Sequence, residues 1–403
     1  MVGRRRSVHR LQSKGGQVRS RDIFFFGPSR SVALLASVMA TFVLADGIRT
    51  ASAGTSGKAA DDYLRHEMAE RHIVGMAVAV IQHGKVKKIG TYGQASKEFS
   101  LPVRPSTPFS VASISKSFTA VAVMVLVESG KLRLDDPIGS YLSGLPPGWH
   151  GITVRQLLSH TSGVPDVAVD DYGTSTIAET PAEMIKVLAN RPTDFTPGSN
   201  YRYNQINYVL LGMLIERVSG KPYEEFCAQR LFAPLRLRTP EFGDARTIVS
   251  ERATTYTPFR YGGPRPVPLD HADVLNAEMP AMTYPGGGLN ISIADFADWL
   301  AALVSGKLIS EESLTAIWAP TTLVDGSIFQ RPPASSLWRG YGLGWVLGLE
   351  EPHPFAGGTG GSRASFFVYP KDDLAVIVLT NTQGSRPESL VEGVAQRYFA
   401  RSD

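Results

Sequence analysis

Apolar residues are arranged differently at the two ends of the chain and in its middle. Lys58 to Val74 places apolar side chains at three- and four-residue steps, which predicts an amphipathic helix. Met76 to Ile81 (MAVAVI) is a continuous apolar run of strand length, and His83-Gly84-Lys85 turns it into Val86 to Tyr92, predicting a hairpin. Ser113 to Ser129 reads as a long apolar helix closed by Gly130. From Thr153 to Leu303, helical segments separated by Gly/Pro loops dominate. Strand-like text returns at Tyr341 to Trp345, Ala364 to Tyr369 and Leu374 to Leu379, the last two joined by a turn at Pro370 to Asp373. Arg386 to Ala400 predicts a terminal helix. Strands at both ends with helices between them predict an α+β fold: an antiparallel sheet built from both chain ends, flanking helices, and an inserted helical subdomain. The cleft between the two parts is the expected place for a site.

Ahead of this body stands sequence of another kind. Basic and polar residues lead into an apolar run of 15, Ser31 to Ala45, and Ala51-Ser52-Ala53 offers a small-residue cleavage site before Gly54. These are the three parts of a secretory signal, and the run is shorter than a membrane span. Residues 1–53 are therefore expected to be a targeting segment and residues 54–403 the folded, exported body, periplasmic or secreted. Contact with a membrane is expected only through an uncleaved leader.

Composition changes the picture in three places. At 43% hydrophobic and 19% charged, the 403 residues make an ordinary globular chain. The net charge of +4 misleads, because residues 1–53 carry nine basic and two acidic side chains; the leader holds +7 and the body −3. A slightly acidic body argues against nucleic acid as a partner. The single cysteine, Cys227, excludes an internal disulfide, and no Cys/His spacing suggests zinc, so neither metal nor cofactor is implied.

Ser113-Ile114-Ser115-Lys116 opens the long helix. Residues three apart share a helical face, so a hydroxyl and an amine point into one space, where the helix N-terminus favours negative charge. A serine needs a neighbour to take its proton, and an amine among apolar side chains can do so. By itself SxxK is a weak signal, equally read as a capping serine and a snorkelling lysine.

Its surroundings add to it. Thr107 to Thr119 is followed by Leu134-Asp-Asp and by Thr153 to Asp166 (TVRQLLSHTSGVPD). Pro197-Gly198 and Tyr203 to Gly212 (YNQINYVLLG) come next, then Gly286-Gly-Gly-Leu289, Tyr341-Gly-Leu-Gly-Trp345, and Leu374 to Asn381. In this order the segments resemble the class C β-lactamase-like serine hydrolases, a family with penicillin-binding peptidases, D-aminopeptidases and carboxylesterases. The likeness runs from about Tyr63 to Phe399.

The resemblance implies a β-lactamase/transpeptidase-like fold and a role for each matching residue. Ser113 is the implied nucleophile, Lys116 its proton acceptor and electrostatic partner, and Tyr203 the catalytic tyrosine, with Tyr201 and Tyr208 as competitors. The amides of Ser113 and Gly358 are the implied oxyanion donors, and Gly357 to Gly361 let a strand approach the acyl carbon. His160 matches a landmark expected to be structural. Two positions depart from the pattern. Gln205 stands where the family has asparagine as a substrate contact. Phe355 stands where it has a cation that holds anionic substrates, unless His353 or Arg363 substitutes. A phenylalanine there cannot pair with a carboxylate. The expected activity is therefore cleavage of a small carboxylic ester or amide through an acyl-enzyme. A β-lactamase, a D-Ala-directed peptidase on peptidoglycan-like substrate, and a non-catalytic sensor are the alternatives.

Overall fold

The structure, a computed structural model, describes residues 55–166, 178–260, 266–332 and 337–399. The expected leader lies outside the described residues. Helix α1 (Thr55–Glu70) precedes strands β1 (Gly75–Gln82), β2 (Lys85–Ser96) and β3 (Leu101–Pro102). The back of the chain supplies β4 (Gly340–Tyr341), β5 (Val346–Gly348), β6 (Phe355–Gly360), β7 (Ala364–Tyr369) and β8 (Leu374–Thr380). These eight strands form one antiparallel sheet in the order β3-β2-β1-β8-β7-β6-β5-β4. The two chain ends meet where β1 pairs with β8, from Met76 opposite Thr380 to Gln82 opposite Leu374.

Both faces of the sheet centre are covered, which explains the unbroken apolar runs. Alternate residues Ala375, Ile377 and Leu379 belong to one core with helix α2 (Ser115–Glu128). Leu374, Val376 and Val378 belong to a second core against α1 and the terminal helix. Helix α2 is buried on all sides from Ser115 to Leu126, as its apolar surface demands. Helices α3 (Ile206–Ser219) and α4 (Ile293–Val304) pack around it, and Phe118 of α2 stacks on Trp299 of α4 with ring centroids 3.8 Å apart. Burying such a side chain stabilises the fold by about 2 kcal/mol, so α2 is a rigid platform for its own first turn. The terminal helix is α5 (Pro387–Ala395).

Among the described residues of 153–303 helices predominate, as expected, but strands that the reading did not include also occur. Glu241–Phe242 and Leu289–Ser292 join Pro108–Ser110 in a small antiparallel sheet, and Tyr256–Arg260 pairs with Val267–Val274. Three of these strands are too short to show a period. Val267–Val274 is half or fully exposed along its length, so it lacks the apolar alternation that marks a strand. The Tyr341 to Trp345 stretch is likewise a strand end and a turn, with Gly342 N donating to Trp345 O at 2.8 Å.

Candidate active site

Ser113 does not lie in α2 proper. It sits in a 3-10 turn, Ala112–Ile114, that feeds the helix. Ala112 has φ +47°, a left-handed conformation that costs a residue with a Cβ about 1–2 kcal/mol. Ser115 holds this turn in place: its hydroxyl donates to Ala112 O at 2.7 Å and accepts from Leu289 N at 3.0 Å. Strain of this sort persists only where surrounding bonds over-determine it, and such places are often functional.

Three sequence-expected residues converge here. Tyr203 Oη donates to Ser113 Oγ at 2.9 Å. Lys116, buried to 1% exposure, donates from Nζ to Gln205 Oε1 at 2.8 Å and to Gly286 O at 2.7 Å. The same Nζ lies 4.8 Å from the centroid of the Tyr203 ring and 5.2 Å from that of Tyr208. A cation against aromatic faces is stabilised by their negative quadrupole. Tyr203 is 39% exposed, facing the cleft. Tyr201 also lines the cleft, but the hydroxyls of both competitors lie buried. Tyr208 Oη donates to Leu158 O at 3.2 Å, and Tyr201 stacks on Phe329 with its hydroxyl buried. Burial pushes both phenols well above the ordinary tyrosine range.

Behind Tyr203 the Ser159–Gly163 segment forms a polar bracket. His160 lies with its ring centroid 4.5 Å from that of Tyr203. Its Nδ1 accepts from Asn204 N and Asn207 Nδ2, both at 3.2 Å. Burial first, and the Lys116 charge second, push the His160 imidazole well below its ordinary value, so it stays neutral. Asn204 Nδ2 donates to Val164 O at 2.6 Å, and Ser162 Oγ donates to Asn207 Oδ1 at 2.6 Å. The two motifs of the sequence are thus one hydrogen-bonded unit that fixes the tyrosine.

Strand β6 closes the other side. Its neighbour β5 pairs only with Phe355, Ala356 and Gly357, so Gly358 to Gly360 meet no strand on that edge. A Cβ on Gly360 would stand 2.1 Å from Val111 O and 3.0 Å from Ser113 N; only glycine allows this approach. The resulting cleft, about 580 Å³, is lined among others by Ser113, Lys116, Tyr203, Gly358, Thr359 and Glu388.

The third motif departs from expectation. Phe355 does not line the cleft; its ring stacks on Phe367 at 3.9 Å, in the core on the far face of the sheet. Gly357 too lies against Phe366 and Phe367 rather than lining the cleft. Gln205 reaches the site through Lys116 and is not a lining residue. The two substitute cations are engaged elsewhere. His353 pairs with Asp372 at 2.9 Å and stacks on Phe399, while Arg363 donates from Nε to Ser110 O at 3.2 Å. Sequence reasoning missed Gly286, whose carbonyl accepts from Lys116, although Gly286-Gly-Gly-Leu289 was a visible segment. It also missed Arg331 and Glu388 in the cleft wall, which no local motif marks. Among the described residues no cluster suited to a metal ion occurs, and no helix is long and apolar enough to cross a membrane.

A buried platform, a serine next to the strained Ala112, a tyrosine on its oxygen and an open strand edge together fit the β-lactamase-like class, a family of serine hydrolases. Known proteins agree with that class. The chain belongs to the Beta-lactamase family, whose model matches residues 60–399. It is 28% identical over 295 residues to penicillin-binding protein 4* of Bacillus subtilis, covering 70% of this chain and 61% of that one. The chain spans only 61–64% of the length of the curated relatives it matches. Among solved structures it resembles the octameric penicillin-binding protein homologue from Pyrococcus abyssi, with a TM-score of 0.68 and 27% identity over 85% of this chain and 77% of that one. The D-amino acid amidase of Ochrobactrum anthropi shares the fold, with a TM-score of 0.71 and 23% identity over 85% of this chain and 99% of that one.

Proposed function

We propose that the protein hydrolyses small carboxylic esters through an acyl-enzyme on Ser113. Ser113 Oγ attacks the carbonyl carbon while its proton passes to Tyr203 Oη, which must enter the step as a phenolate. The carbonyl oxygen becomes an oxyanion held by the amides of Ser113 and Gly358, and each such donor contributes about 3 kcal/mol. Collapse of the intermediate expels the alcohol, which takes the proton back from Tyr203. Water then repeats the sequence on the acyl-enzyme, releasing the acid and restoring Ser113. Lys116 donates to two carbonyl oxygens, as an ammonium does, so it serves as the fixed charge that stabilises negative oxygen on Tyr203 and Ser113. Tyr203 carries the proton. The observation behind this reading is the 2.9 Å contact between Tyr203 Oη and Ser113 Oγ beside that ammonium.

Esters are favoured over lactams and D-Ala peptides because Phe355, His353 and Arg363 supply no cation to the cleft. Arg331, whose guanidinium lies 4.2 Å over the Trp338 ring in the cleft wall, favours the second reading, an anionic β-lactam or peptide substrate. Turnover of p-nitrophenyl acetate and butyrate, compared with nitrocefin and a D-Ala-D-Ala peptide, separates the two. Ester turnover that disappears in Ser113→Ala, with a fluorophosphonate adduct on Ser113 by intact mass, is the expected result. No adduct and an unchanged Ser113→Ala variant leave a non-catalytic scaffold.

A further inference from the structure

Glu388 is an unusual residue to find in the wall of this cleft. It occupies the first turn of α5, where a carboxylate commonly complements the helix dipole. That role does not require what its side chain does: it reaches across to strand β6 and accepts the hydroxyl proton of Thr359. Thr359 follows Gly358, the candidate oxyanion donor, so the carboxylate is anchored to the strand that receives the reacting carbonyl. Glu388 is half-buried, lines the same hollow as Ser113, and has no cation within ion-pair distance among the described residues. An unneutralised carboxylate there works against the negative charge that develops on the substrate oxygen. A positive charge carried in by the substrate would cancel that opposition and supply the missing partner.

We propose that Glu388 recognises a positively charged substituent of the substrate, so that the preferred substrates are esters or amides bearing an amine or quaternary ammonium near the scissile bond. This inference rests on the ester-hydrolase reading of the same site and narrows it. The Thr359 hydrogen bond fixes the carboxylate, and Arg331 leaves the wall able to hold an anionic group elsewhere. The preference is for a cation at Glu388, whatever else the substrate carries.

Two matched pairs of probes test it at pH 7. On the alcohol side, acetylthiocholine is compared with 3,3-dimethylbutyl thioacetate; on the acyl side, glycine p-nitroanilide is compared with acetic acid p-nitroanilide. At least one pair is expected to show a kcat/KM ratio favouring the cation by about ten-fold, the worth of one partly desolvated ion pair. Glu388→Gln is expected to bring that ratio to near one, and Glu388→Asp to restore part of it. If Glu388→Gln does not fold, the wild-type ratio is followed from 20 mM to 500 mM salt, where a charge-based preference must shrink. No preference in either pair, a ratio kept in Glu388→Gln, or a ratio indifferent to salt overturns the proposal. Neutral-ester turnover abolished by Ser113→Ala shows that the hydrolase reading survives such a failure; turnover that persists in Ser113→Ala sinks that reading instead.

Discussion

Two hollows lie at opposite ends of strand β7. One, about 580 Å³, opens beside Ser113 at the turn into β7; the other, about 690 Å³, lies where β7 turns into β8 and is lined by Ile81, His83, Val304, Leu314, Trp318 and Leu374. The larger one carries polar groups too: the buried Trp318 Nε1 has no hydrogen-bond partner among the described residues, and two others are bonded locally. Ser305 Oγ donates to Ala301 O at 2.7 Å within α4, and His83 pairs with Asp373 at 2.7 Å in largely exposed surroundings. In the smaller hollow a hydroxyl, a phenol and a buried ammonium from two separate segments bear on one another. Convergence of unlike groups around a strained residue, rather than volume, marks the candidate site.

The strongest way to break this contrast is to remove the phenol oxygen. Tyr203→Phe keeps the ring against His160 and Lys116 and deletes only the hydroxyl. Ester kcat is expected to fall about 10²- to 10⁴-fold, the usual worth of a positioned proton carrier, with little change in melting temperature. Thr315→Arg, in the wall of the larger hollow, is expected to leave kcat/KM within about two-fold. A Tyr203→Phe variant within ten-fold of wild type would return the proton to Lys116.

A smaller loss is expected when the strand edge is pushed away from the serine. Gly360→Ala places a methyl 2.1 Å from Val111 O, which is backbone and cannot rotate aside. Strand β6 must retreat by a fraction of an ångström to 1 Å, and misplacement of that size costs up to about 10² in rate. Steady-state kinetics should show the loss mainly in kcat. Unchanged kcat would mean that the edge does not border the reacting carbonyl.

How far the sequence could foretell this arrangement follows from the range of each signal. The two-ended sheet and central helix were legible, because MAVAVI, the α2 run and Leu374 to Leu379 are long and buried on every side. Ser113, Lys116 and Tyr203 were singled out through motif order, and the geometry adds that Tyr203 is the tyrosine whose hydroxyl bonds Ser113 Oγ. Phe355 was misjudged because strand parity decides where it points. The pairing of Phe355 with Gly348 and its stacking on Phe367 are contacts between strands, absent from any local window. Glu388 and Arg331 escaped for the same reason: each is an ordinary charged residue until the fold carries it to the cleft. The strands of residues 241–292 escaped because short or exposed strands leave no apolar period.

Asp166 gives the finest test of what sets the two hollows apart, since it asks whether the cost of burying charge is specific to the reactive end. Its Oδ2 accepts from Gln205 N at 3.4 Å and its Oδ1 is buried with no hydrogen-bond partner among the described residues. Burial pushes its carboxyl up to about 6, against the lowering effects of the Gln205 N–H and the Lys116 charge. An unfolded aspartate titrates near 3.9. Between about pH 4 and 6 the folded protein therefore holds a proton that the unfolded chain has released, so stability falls as pH rises through that window and stays lower above it. Two pH units correspond to at most about 3 kcal/mol, and partial solvent access reduces this to about 1–2 kcal/mol. Asp166→Asn keeps an acceptor for Gln205 N and never charges. Calorimetry should find it more stable than wild type by that amount at pH 7–8, with the gap closing below about pH 4. Asp373→Asn, in the exposed pair of the larger hollow, is the matched control. Equal behaviour of the two variants across pH would mean that the reactive end does not carry the cost of buried charge assigned to it here.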